Sequence, residues 1–556
     1  MIRTRIAEAL ATAVTAAQAA GALPAFDRPK VEISVPPRPD MGDFTSNIAM
    51  IVASQAKLKP RDVAEAIIAH LDLPGASCER AEIAGPGFIN IFLGCGWLQQ
   101  AAKECLELGD RYGYNESCQG SRVQLEFISA NPVGPMHIGN ARGGPYADVL
   151  ANMLAALGYE TQREYYVNDG PYNTQAIIFG QSLQARYREL LSLDFSFPEN
   201  GYQGDYVREM AQGLVDRDGD RHASVARDEA GAYEFFRMVE PQILKAIEDV
   251  TASFGIHYDN WFHEADLYEQ GAVEAEINRL LSIDAAYEKD GAVWLKTGEH
   301  GDEEDRVLVR SDGRPTYIAS DAAYAQYKYQ HFDLAIYVLG PDHAGYVPRL
   351  KAAIAAGGID LSQVEIIVHQ TVRLLRGGEP VRLSKRRGEI IGLDEVMEEV
   401  GRDAARFFFL MRSVDSHLDF DLDLATKQSD ENPVYYVQYA HARICSIERM
   451  GEERGFVFDS APDLTLLMDP AELALMRVIA DYPHELRVAT EARAPHRLTT
   501  MARDLATVFH QFYTNCKVLD TDNMPLSTAR MALVKAARQL LANELHMMGL
   551  TAPERM

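Results

Sequence analysis

Positive charge is in short supply in this chain. Its 54 Lys and Arg stand against 81 Asp and Glu in 556 residues, a formal net charge of −27. That balance speaks at first against a nucleic-acid binder, whose usual footprint is basic. Cysteine and tryptophan are scarce as well, with six and three copies. No two cysteines form a C-x-x-C pair, so neither a zinc knuckle nor a disulfide framework is indicated, and six reduced thiols are expected. Long apolar runs are missing too; nothing reaches the roughly 18 residues that a bilayer span needs. The amino terminus, with Arg3, Arg5 and an alanine-rich stretch, resembles a targeting peptide only superficially. Glu8, Thr12, Thr15 and Gln18 interrupt it, while Ile2, Ile6, Leu10 and Val14 recur at helical spacing. A first amphipathic helix is predicted there, and a cytoplasmic location is expected.

With 47% hydrophobic and 24% charged residues the composition is that of an ordinary globular protein. The length suggests about three or four domains. The acidity is local: residues 181–310 carry a net −15, while residues 1–113 and 441–556 carry −2 each. The net charge of the whole chain is therefore a poor guide to what its ends bind.

Residues 1–113 read as a small α/β domain. We predict helices near 2–20, 45–56 and 61–70, a strand at Val31–Val35, and a turn into a buried strand over 84–93. A linker is expected near 108–119. From Arg122 the pattern becomes a strand at 123–128, a Pro/Gly-rich loop at 131–135, a helix over 138–157 and a strand at 159–167. That is a β-loop-α-β unit, the opening of a doubly wound parallel sheet. Residues 171–305, helical and acidic, read as an insertion. Alternation then returns, with strands at 307–310, 334–339 and 364–368. The division expected is 1–113, a Rossmann-like domain over 114–393, a helical connector over 394–433 and a helical bundle over 434–556.

Two constellations carry chemistry. In Glu126-Phe-Ile-Ser129-Ala-Asn131-Pro-Val-Gly-Pro-Met-His137-Ile-Gly139-Asn140, a loop after the first strand delivers His137 to a helix start. Free N–H groups and the helix dipole favour a phosphate there. An imidazole N–H could also stabilise growing charge on an α-phosphate. By itself, H-x-G is equally a histidine that caps a helix. The second is Arg382-Leu-Ser384-Lys385-Arg386-Arg387-Gly388, within a stretch from Arg373 holding six basic residues and one acid. Such a loop suits a polyanion, with Lys385 reaching a pyrophosphate and Mg²⁺ sharing its charge. Alone, it is equally a solvated basic loop.

The two signatures together, after the first and last strands of a split sheet, resemble class I aminoacyl-tRNA synthetases. Further motifs narrow the likeness to the arginyl-tRNA synthetase family over nearly the whole chain. They are Tyr166-Val-Asn168-Asp169, Thr316-Tyr317 with Asp321 and Tyr324, Gly340-Pro-Asp342-His343, Asp419-Phe-Asp-Leu-Asp423 and the run from Asn432 to Arg443. The resemblance implies ATP-dependent charging of tRNA-Arg with L-arginine, through an adenylate. It implies ATP as substrate with Mg²⁺, no zinc or other resident metal, a monomer, and a first step that needs bound tRNA. It also implies that Glu126, Ser129 and Asn131 hold the amino acid's ammonium and carboxylate, and that Tyr317 and Asp321 recognise the guanidinium. His137 and Tyr324 complete the arginine set. His137, Gly139, Asn140, His343, Ser384 and Lys385 are expected around ATP, with His137, Asn140 and Lys385 catalytic. Asn140 stands where the family's second signature histidine falls; it can donate a hydrogen bond but carries no charge. Asn47 is expected to touch the tRNA elbow, and Tyr435, Tyr439 and Arg443 the anticodon, because unstacked bases are read by stacking and edge contacts. The rivals are another class I synthetase or small adenylyltransferase, and a non-catalytic tRNA-binding paralogue.

Overall fold

Val123 through Phe127 are all buried, as a central strand covered on both faces requires. This strand, β1 (Arg122–Phe127), is followed in the chain by β2 (Glu160–Val167), β3 (Asn260–His263), β4 (Leu334–Leu339) and β5 (Val364–Val368). They form one sheet in the order β5-β4-β1-β2-β3, with every pair parallel. The order reverses between β1 and β4, so a crevice opens at their carboxyl ends, where doubly wound sheets bind ligands. The computed structural model describes residues 2–27, 29–73, 78–381, 391–457 and 461–556.

Several expectations need correction. Residues 31–35 contribute only a bridge between Ser34 and Thr45, because Pro36, Pro37 and Pro39 follow at once and proline cannot extend a ladder. The predicted helix at 45–56 begins instead at Ile48; Phe44–Ser46 pairs antiparallel with Ile89–Ile91. The helix expected over 138–157 is two pieces, Ile138–Ala141 and Gly143–Ala156. The segment read as an insertion supplies β3, whose four residues are too short to show a period among long helices. The strand predicted near 307–310 lies at Arg306–Val309, but in a separate antiparallel sheet with Ala286–Lys289 and Ala292–Leu295. Beyond 394 the chain is not wholly helical: Leu418–Asp421 pairs in parallel with Val372–Arg376.

Four long helices, Pro433–Glu453, Pro470–Glu491, His496–Asn515 and Met524–Met547, build the carboxyl-terminal bundle. Asp469 starts the second of them with a capping box closed by Glu472. Buried arginines dock the bundle on the sheet domain. Arg406, fully buried, bonds to Asp148 at 2.5 Å, to the Phe254 carbonyl at 2.9 Å and to the Met548 carbonyl at 3.1 Å. Arg493 pairs with Glu365 on β5 through two bonds of 2.7 and 2.8 Å. The amino-terminal domain rests on the bundle rather than on the sheet. Arg3 pairs with Asp481 at 3.0 Å, Arg477 with Asp43, and Tyr112 stacks on Tyr482.

Candidate functional site

The helix Tyr317–His331 forms because four of its first nine residues are alanine and Thr316, with extended backbone, leads into it. Tyr317, Asp321, Tyr324 and Lys328 recur at i, i+4, i+7 and i+11, one stripe that descends into the crevice. Tyr317 stands at the rim, 56% exposed, whereas Tyr324 and Lys328 are buried at 4% and 0%. Around the stripe lies a cavity of about 580 Å³, within the range of small-molecule sites. Glu126, Ser129, Tyr166, Asn168, Glu264, Ser320, His343 and Tyr346 contribute to its walls.

The cavity floor is acidic. Asp321 accepts a hydrogen bond from the Tyr346 hydroxyl, and burial, with the charges of Glu264 and Glu126, pushes its carboxyl up to about 7. Glu264 accepts from Ser320 at 2.8 Å, and burial raises its pKa too. Glu164 accepts from Asn260 at 2.6 Å and from the Tyr324 hydroxyl, again with a raised pKa from burial. Lys328 is the buried cation among them, with Nζ 2.5 Å from Glu126 Oε2 and lying over the rings of Tyr324 and Tyr337 at 4.2 and 3.7 Å. Such a floor suits a planar cation. One carboxylate can take two guanidinium N–H donors in parallel, and removal from water strengthens the pair.

At the end of β1 the backbone turns through two strained residues, Ile128 and Ser129, with φ of 67° and 42°. A β-branched residue rarely adopts such φ, and strain of this kind gathers at functional sites. The turn is held by neighbours. Tyr166 N–H donates to Ser129 Oγ at 3.0 Å, and Asn168 Nδ2 donates to the Ser129 carbonyl at 3.1 Å. Farther along the loop, His137 caps the helix Ile138–Ala141, its Nδ1 accepting from Gly139 N at 3.1 Å. Arg142, at the break between the helix pieces, is 1% exposed and bonds to the carbonyls of Gln370, Ser413 and Ser416 at 2.6–2.9 Å. Burial lowers its pKa to about 10.

The expected site residues divide into three groups. Glu126, Ser129, Tyr317, Asp321, Tyr324 and His343 line the cavity. Asn131, His137, Gly139 and Asn140 are outside its walls, on the loop and helix that follow β1. Ser384 and Lys385 fall outside the described residues. Two residues of the basic stretch before them are ion-paired, Arg373 with Asp419 and Arg376 with Glu399. The motif residue Asp169 is buried and bonds to His263 Nδ1 at 2.6 Å and Arg237 at 3.0 Å. With Glu240 it makes the one group of possible metal ligands among the described residues. Arg237 reaches Glu240 at 2.6 Å, so a cation already balances that cluster. Sequence reasoning missed Lys328, Glu164, Glu264 and Arg142. Only Lys328 carried a signal, its place on the helical stripe of Tyr317 and Asp321.

On the bundle, Tyr435 and Tyr439 stack with centroids 6.1 Å apart, and Arg443 lies 5.0 Å over the Tyr513 ring. With Tyr436 and His510 they line a groove of about 250 Å³. Asn47 precedes the helix Ile48–Ala56 without capping it, and its Oδ1 is buried with no hydrogen-bond partner.

Three family models match the chain in order. These are the arginyl tRNA synthetase N terminal domain over residues 1–93, the catalytic domain of tRNA synthetases class I (R) over 103–409, and the DALR anticodon binding domain over 437–556. The arginine–tRNA ligase of Heliobacterium modesticaldum is 46% identical over 566 residues, covering 100% of this chain and 99% of the relative. That of Moorella thermoacetica is 46% identical over 558 residues, with the same coverage. The fold matches the Thermus thermophilus arginyl-tRNA synthetase along 100% of both chains, with a TM-score of 0.77 at 21% identity. The chain belongs to the arginyl-tRNA synthetase family, within the class I synthetases.

Proposed function

We propose that this protein activates L-arginine with ATP and transfers it to the terminal ribose of tRNA-Arg. The observation that carries the reading is Asp321, a half-buried carboxylate in a cavity of acids at the carboxyl end of β1 and β4. The arginine guanidinium pairs with Asp321 and packs against Tyr317, while Glu126, Ser129 and Asn131 take the ammonium and carboxylate. A site built on such hydrogen bonds rejects a non-matching side chain by about 10⁴–10⁵ without editing. The arginine carboxylate attacks the α-phosphate in line and pyrophosphate leaves; the ribose hydroxyl then takes the acyl group. No side-chain nucleophile is required, so catalysis rests on positioning and charge stabilisation.

ATP enters as its Mg²⁺ complex between His343 and the His137–Asn140 turn, with Ser384 and Lys385 at the phosphates. A Mg²⁺ that travels on substrate phosphates needs no all-protein cage. Tyr435, Tyr439 and Arg443 take anticodon bases, and Asn47 meets the tRNA elbow. The enzyme acts as a cytoplasmic monomer. No helix among the described residues is long and apolar enough to cross a membrane. Bound tRNA is required for the first step. A charging assay with each amino acid and total tRNA tests the reading: arginylation alone is expected, and its absence would return the non-catalytic paralogue. Full arginine-dependent ATP–pyrophosphate exchange without tRNA would remove the tRNA requirement alone.

A further inference from the structure

Three carboxylates, Glu126, Glu264 and Asp321, line the cavity, and a fourth, Glu164, lies behind Tyr324, each from a different element. Glu126 comes from β1, Glu164 from β2, Glu264 from the segment after β3 and Asp321 from the Tyr317–His331 helix. Arginine brings one guanidinium and one ammonium. Among the described residues one cation meets these acids, the fully buried Lys328, and it bonds to Glu126 rather than to the carboxylate nearest it on the helix stripe. A buried ion pair is often no better for stability than apolar packing of the same volume. Its surroundings are specific: the ammonium is bracketed by the faces of Tyr324 and Tyr337, and the Tyr324 hydroxyl is itself held by Glu164. Lys328 thus has few other places to go.

We propose that Lys328 is a positioning residue for arginine recognition, holding Glu126 in place by one oxygen to receive the substrate's ammonium. The inference rests on the assignment of Glu126 made above. A cation there favours the ionised form of each neighbouring acid, and it opposes the burial that raises both Glu164 and Asp321. Without it Asp321 and Glu164 hold their protons to higher pH, and the site loses charge that arginine requires. Among the described residues, the titratable groups facing the pair are Glu164, Glu264, Asp321 and the tyrosines 166, 324, 329 and 337, and Lys328 is the cation among them.

The test is steady-state arginylation by the full-length enzyme with saturating ATP and tRNA, from about pH 6 to about pH 9. K328M is expected to raise the arginine KM about tenfold or more at neutral pH, since one unit of pKa is about tenfold, with a smaller change in kcat. The acid limb of kcat/KM should move to higher pH, and K328R should restore it towards the parent profile. A KM raised equally at every pH, or unchanged, overturns the proposal. Should K328M not fold, the pair E126Q and E126Q/K328M decides the matter without leaving a lone buried carboxylate at position 126. If Lys328 acts through Glu126, adding K328M to E126Q leaves the arginine KM within about twofold at about pH 9, where Asp321 is expected to be ionised in either background. A further tenfold rise overturns the proposal. If E126Q alone leaves the arginine KM unchanged, it is the assignment of Glu126 that fails.

Discussion

Asp321 shows how burial sets the chemistry of a single residue. Its carboxyl, pushed up to about 7, binds more protons folded than unfolded between about 4 and about 7. In the free enzyme it therefore contributes stability at low pH that is lost as pH rises through about 7. A guanidinium in the cavity reverses the preference and expels the proton. Arginine binding is expected to release protons below about pH 7 and to tighten as pH rises to that value. Calorimetry in buffers of different ionisation enthalpy measures this; identical heats in every buffer would refute it. Asp321→Asn should raise the arginine KM by about 10- to 100-fold, because a charge-assisted hydrogen bond contributes about 1.5–3 kcal/mol. The ATP KM should move little.

Elements matter where two of them must be held in one geometry. The helix after the signature loop is not continuous, and Arg142 sits at its break with its guanidinium tied to three carbonyls of the 370–416 region. That fixes the His137 turn against the chain that follows β5. Replacing Arg142 by Met strands those carbonyls and should cost about 3 kcal/mol or more, read as a drop in the denaturation midpoint. On the bundle, the helix Pro433–Glu453 presents Tyr435, Tyr439 and Arg443 one turn apart on a single face. Stacking of a base on an aromatic ring contributes about 1–3 kcal/mol. Tyr439→Ala, with 39% of that residue exposed, should weaken tRNA binding by that amount while leaving the arginine KM unchanged. An unaltered tRNA affinity would place the anticodon elsewhere.

At the scale of the whole molecule, the bundle joins the other two domains. Arg406 and Arg493 tie it to the sheet domain, and Arg3, Asp43 and Tyr112 tie it to the amino-terminal domain. Without Arg406, Asp148 keeps Arg163, but the carbonyls of Phe254 and Met548 lose a charged donor, which costs about 1–3 kcal/mol each. Arg406→Met should therefore separate the unfolding of bundle and sheet domain into two calorimetric transitions; one unbroken transition would count against this. The acidity of −27 bears on tRNA in the same way. Fifteen of those charges lie in residues 181–310, away from the groove of Tyr435 and Arg443. Binding should weaken as salt rises, since phosphate contacts release counterions, and a flat log–log plot would contradict it.

The chain's own order of residues determined the local elements and the motifs. Apolar alternation marked β1, β2, β4 and β5, and helical spacing marked the stripe of Tyr317, Asp321 and Tyr324, because these periods depend only on neighbours within a few residues. It also brought the arginyl-tRNA synthetase likeness into view, since a run of motifs is legible without a fold. What tertiary structure alone decided is which charges meet. Glu126 and Lys328 are 202 positions apart, and Arg406 and Asp148 are 258 apart. No local period links such residues, and Lys328 read in sequence is an ordinary helix lysine. Strand β3 was hidden for a related reason, since four residues gain their identity only from pairing with β2. Burial turned Asp321 from an ordinary carboxylate into one balanced near neutrality. Dielectric and distance set that property, and both belong to the folded chain.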